Sequence, residues 1–207
     1  GSEFDYIAPG LMLFAIFMLI FQVSMVVVKE SEQKTLHRLL LAPVKARDLL
    51  LGVSLTQVVF AVLMIPLMLF SAVAVGFHSQ GSLLNGIVIG IFTSFSAIAL
   101  GLWVAAFSRT ANQAFLISNA ILVPVVFLSG VFFPLPKVAL FTLGERTFSI
   151  FDIQPATHAV NAFSRVFLYG ANLGDLVYEL SMLVLLSSLY FAAGLWLWKR
   201  MHVKRHR

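Results

Sequence analysis

The chain has 207 residues, of which 60% are hydrophobic and 11% charged, with 20 Phe and no Cys. A soluble domain carries about 25% charged residues, so this composition excludes a water-exposed globular domain and reads as an all-α integral membrane protein. The missing cysteines exclude disulfides, thiolate catalysis and Cys-ligated metal, and the formal charge of +5 is placed as if for an acidic lipid surface, not for nucleic acid.

Residues 1–4, GSEF, read as a cloning scar, and residues 5–207 as one transmembrane domain. Five apolar runs are long enough to cross a bilayer, which takes about 20 residues each: 7–28, 49–75, 83–107, 111–133 and 176–198. The first is no secretory signal, because Glu3 and Asp5 precede it where basic residues would stand and its apolar core is too long.

The stretch KESEQKTLHRLLLAPVKARD, residues 29–48, then concentrates charge. Leu36, Leu39, Leu40, Pro43 and Val44 recur at helical spacing, which predicts an amphipathic helix with Ser31 as its N-cap and Pro43 as its stop. At roughly 16 Å such a helix is too short to span and would lie in the interface. Amphipathicity alone leaves it either a passive interfacial helix or a part on which something docks.

In the third run Gly86, Gly90, Ser94, Ala97 and Gly101 stack on one helix face. A smooth face lets another helix approach closely, either within one subunit or as a seam between two. Pro66 and Pro124 each remove a backbone donor inside a run and predict kinks. The polar groups in the runs are neutral (Gln22, Ser24, Gln57, Thr93, Ser94, Gln113, Asn119 and Ser129), apart from Glu179 near one end of the last run. They suit hydrogen bonds between helices and offer no proton relay.

Residues 134–175 follow the fourth run. SGVFFPLP breaks the helix at Gly130, Pro134 and Pro136, and PATHAVNAFSRVFLYG opens on Pro155 and closes on Gly170, a good helix start and stop. The segment is expected to form short helices at the outer leaflet. Val160, Phe163 and Phe167 would make the apolar side, and His158, Asn161 and Arg165 the polar side.

Basic residues set the orientation. Lys29, Lys34, Arg38, Lys45, Arg47, Arg109, Lys199, Arg200, Lys204, Arg205 and Arg207 fall on one side, and Lys137, Arg146 and Arg165 on the other. The positive-inside rule then puts the N-terminus outside and the C-terminus in the cytoplasm of a multi-pass cell (inner) membrane protein. Trp196 and Trp198 are expected as interfacial anchors. No HExxH, GxSxG or G-x-x-x-x-G-K-[ST] motif is present, so the chain is not read as an enzyme, and an ATP-driven process would need another polypeptide.

Three stretches in this order resemble the membrane subunit of ABC-2 type ABC transporters. KESEQKTLHRLLLAPV is similar to the family pattern E-x-E-x-G-T-x-x-x-L-x-x-x-P through Glu30, Glu32, Thr35, Leu39 and Pro43, with Lys34 where glycine is usual. LSGVFFPLP (128–136) and QPATHAVNAFSRVFLYG (154–170) carry the rest of the likeness. The resemblance implies that residues 29–48 form a coupling helix docking on separate ATPase subunits, which hold ATP and Mg, while this chain holds no cofactor. It implies an outer gate at Gly130, Phe132, Phe133 and Pro134, and a re-entrant helix marked by Pro155, Arg165 and Gly170. It further implies a second permease subunit, identical or not, surrounding membrane lipids, and export of an amphiphile, drug, lipid or glycan. The family usually has six spans, so a first span missing through truncation or a split gene is expected. A passive channel or membrane scaffold working without an ATPase is the alternative, and an intramembrane enzyme a distant third.

Overall fold

The computed structural model describes residues 3–32, 46–132, 136, 139–143 and 146–202. A bilayer offers the backbone no hydrogen-bond partners, so crossing segments satisfy their amides internally as helices. The chain does this with α1 (Glu3–Phe17), α2 (Leu19–Glu32), α3 (Ala46–Ala74), α4 (Leu83–Phe107), α5 (Ala111–Phe127), α6 (Pro155–Tyr169) and α7 (Val177–His202).

The first apolar run forms two helices, α1 and α2, in one 30-residue stretch. They part at Met18, whose amide is shared between the carbonyls of Phe14 and Ala15 at 3.2 Å each. Among the described residues, four stretches are long and apolar enough to cross a membrane: Glu3–Glu32, Arg47–Ala74, Leu83–Phe107 and Leu173–His202. The fourth run departs from expectation. Its helix, α5, stops at Phe127 rather than residue 133. At 17 residues it is about 26 Å long, short of the roughly 30 Å hydrocarbon thickness. The chain turns at Leu128 and reaches Gly130 with φ 85°, a conformation in which glycine avoids a Cβ clash.

The segment after α5 is also not purely helical. Two antiparallel strands, β1 (Ala139–Leu143) and β2 (Arg146–Ser149), pair with Phe141 opposite Phe148 and Leu143 opposite Arg146. Thr142 and Thr147 pair between them, and these β-branched and aromatic residues suit strands. A 3-10 turn, Ile150–Ile153, then leads into α6, held by a capping box in which Ser149 N donates to Asp152 Oδ2 at 2.8 Å.

The helix α4 is the spine. It packs against α7, α2, α3, α6 and α1. Trp103 Nε1 donates to the Tyr190 carbonyl at 2.7 Å, and the Phe95 and Phe191 rings lie 5.2 Å apart, so α7 runs alongside α4. The described basic residues Lys29, Arg47, Arg109, Lys199 and Arg200 all fall at helix ends on one side, the basic end. The hairpin and α6 belong to the opposite end, the hairpin end. At the basic end Trp196 is exposed, and Arg200 sits over its ring at 5.2 Å. Trp198 is a correction, since it is fully buried and stacks on His202 at 4.9 Å.

Candidate functional site

At the basic end α2 runs past the apolar part of the first run and carries Glu30 and Glu32 on its last turn. Ser31 lies within that turn, and its hydroxyl donates back to the Val27 carbonyl at 3.2 Å. Thr35, Leu39 and Pro43 lie outside the described residues, as does the amphipathic helix expected there. Glu30 is half-buried, whereas Glu32 is exposed and reaches across to α5, where its Oε2 accepts from Ala111 N at 3.2 Å. The rest of the α5 cap is local. Thr110 Oγ1 accepts from Gln113 N at 3.2 Å, and Gln113 Oε1 accepts from Arg109 N at 3.0 Å. Deeper along the same two helices the Ser24 and Ser118 hydroxyls lie 3.0 Å apart and the Phe21 and Phe115 rings 5.5 Å apart.

At the hairpin end α6 is folded into the bundle. Pro155 occupies its first turn and Gly170 ends it in the left-handed conformation, φ 67°. Val160, Phe163 and Phe167 face inward as their spacing predicts. His158, assigned to the polar side, is buried as well, with Nε2 3.0 Å from the Asp152 carbonyl. Arg165 does leave the apolar side, and its Nη1 donates to Glu179 Oε1 at 2.6 Å. That pair fastens α6 to the first turn of α7 and answers the one carboxylate of the last run. The helix is fastened at its other ends too: Gln154 Nε2 donates to the Leu128 carbonyl at the close of α5, and Gln80 N donates to the Phe167 carbonyl at 3.0 Å.

Of the expected gate residues, Gly130 supplies the turn and Phe132 is exposed between Phe14 and Phe127, with ring centroids at 6.2 and 6.1 Å. Phe133 and Pro134 lie outside the described residues. The small face of α4 meets other helices of the same chain. Gly86 sits under the Phe167 ring; a Cβ on Gly90 would come within 2.8 Å of Ile65, and one on Gly101 within 2.7 Å of Val23. Ser94 and Ala97 are buried between them, Ser94 donating to the Ile91 carbonyl at 2.7 Å.

Asp5 was read only as a flanking charge. It is buried in the first turn of α1, and its Oδ1 accepts from His78 N at 2.8 Å, closing the α3–α4 connection onto α1. The partner lies 73 residues away, so no local pattern announces the contact. Between α1, α2 and α3 lies an apolar groove of about 210 Å³, walled by Ile16, Leu19, Phe60, Met64, Ile65 and Met68. Among the described residues no cluster of His, Asp and Glu could hold a metal ion.

Comparison with known proteins adds the following. A family model described as ABC-2 family transporter protein matches residues 2–196. ABC transporter G family member 20 of Dictyostelium discoideum is 29% identical over 196 residues, covering 92% of this chain and 26% of the relative. The chain thus spans about a quarter of the length of that curated relative. No solved structure matches.

Proposed function

This chain belongs to the ABC-2 family of transporter membrane proteins, and from that premise we propose that it is the permease subunit of an ATP-driven exporter. The observation that carries the reading is the family match across residues 2–196, which takes in all seven described helices but for the last turns of α7. In this reading ATP and Mg are bound by ABC ATPases outside these 207 residues, which carry no phosphate-loop sequence. The charged connection 29–48, with Glu30, Thr35, Leu39 and Pro43, is the docking element on the cytoplasmic side. The exit side is the hairpin end, where Gly130, Phe132, Phe133, Pro134 and the fastened α6 shape the gate. Two permease subunits enclose the path, in an inner membrane with the C-terminus inside. The cargo is an amphiphile, drug, lipid or glycan, a range that suits spans whose polar groups are neutral.

Expression with the ABC ATPases of its source organism, one at a time, tests this. The expected result is a detergent-stable complex in which ATP hydrolysis responds to the permease. Solute flux through liposomes holding this chain alone, with no ATPase associating, would instead make it a passive channel.

A further inference from the structure

We infer that Glu32 is a positioning residue whose carboxylate completes the N-terminal cap of α5 and so ties the start of that helix to the end of α2. The need arises from the cap itself. An N-cap side chain reaches the second or third amide of a helix, and Thr110 does so at Gln113 N. The first amide, Ala111 N, needs an acceptor from elsewhere, and Glu32 Oε2 supplies it at 3.2 Å from a position 79 residues earlier. An anion also suits the positive end of the helix dipole.

The bond is one of three ties between the same helices, with the Ser24–Ser118 hydroxyl pair and the Phe21–Phe115 ring contact further in. Of the three ties, Glu32 is the one that belongs to the charged stretch 29–48 itself. A displacement of that connection reaches α5 through Glu32 first. Among the described residues Glu30 makes no corresponding bond to α5, so of the two acids of the E-x-E pair the cap rests on Glu32. The cap stands on the geometry alone, while its bearing on coupling rests on the proposed function.

Amide hydrogen exchange of the chain in nanodiscs tests the cap without any ATPase. Glu32→Ala should raise exchange at Ala111 about two- to fivefold, and Glu32→Gln, which keeps an acceptor oxygen, by less. Exchange at Ala111 in Glu30→Gln and across α4 in every variant should stay as in the parent chain. Unchanged exchange at Ala111 in Glu32→Ala would overturn the cap. In a second arm, Glu32→Ala should still co-purify with an ABC ATPase that the parent chain binds. Loss of that association with Ala111 exchange unaltered would make Glu32 a partner contact and overturn the inference. If the parent chain binds no ATPase, the proposed function fails while the exchange result still decides the cap.

Discussion

Two helices of this bundle, α3 and α4, are both apolar enough to span a membrane, yet they occupy opposite environments. Of the most apolar window of each, 67% is buried in α4 and 22% in α3. In lipid, apolarity does not pull a helix to the centre, because the tails are as apolar as leucine; close packing does. The helix α4 presents Gly86, Gly90, Ser94, Ala97 and Gly101 to its neighbours, and their backbones and rings come within contact. The helix α3 presents Leu55, Val59, Leu63, Leu67 and Phe70 outward instead. Side-chain size, not hydropathy, separates the spine from the wall.

The largest test of that contrast is a pair of glycines. Gly101→Leu would force a side chain into Val23 and the Ile20 carbonyl, and should cost about 3 kcal/mol, read as a fall in melting temperature in detergent. Gly52→Leu on α3 meets nothing within 4 Å and should gain about 0.5 kcal/mol from helix propensity. Equal losses at both positions would break the distinction. A smaller effect is expected for Trp103→Phe, which keeps the ring but deletes the Nε1 bond to the Tyr190 carbonyl. It should cost about 1 kcal/mol by the same melting assay, and an unchanged midpoint would remove that bond from the α4–α7 contact. Smallest of all is Ser71→Ala on α3, whose exposed hydroxyl bonds among the described residues only back to the Leu67 carbonyl at 2.7 Å. A loss or gain beyond about 0.3 kcal/mol would mean that α3 meets a partner on that face.

The sequence made α4 legible because its signal is local. The run 83–107 lies between Ser82 and Ser108 and coincides with the helix, and the small-residue spacing marks the face that packs. It left open which neighbour would fill that face, since Val23, Ile65 and Phe167 stand on three different elements. Pro155 and Gly170 likewise marked both ends of α6, for a fixed φ and a left-handed cap are properties of single residues. What stayed hidden depends on distant partners. Glu32 meets Ala111 and Asp5 meets His78 across more than 70 residues, and Arg165 and Glu179 were each visible without their pairing. Trp198 turned inward against the rule for interfacial aromatics, which speaks of depth in the membrane and not of which helix face is covered. The hairpin was missed because the prolines and glycine around it read as helix breaks, and the strand alternation between them is only four or five residues long.

The function turns on which end of the bundle meets an ATPase, and the absence of cysteine makes that measurable with single introduced thiols. Thr35→Cys places one in the charged connection, and Asn172→Cys places one at the hairpin end. Each would carry a short thiol-directed photocross-linker in the complex with an ABC ATPase. The account predicts a covalent adduct with the ATPase from position 35 and none from position 172. Adducts from position 172 alone would contradict it.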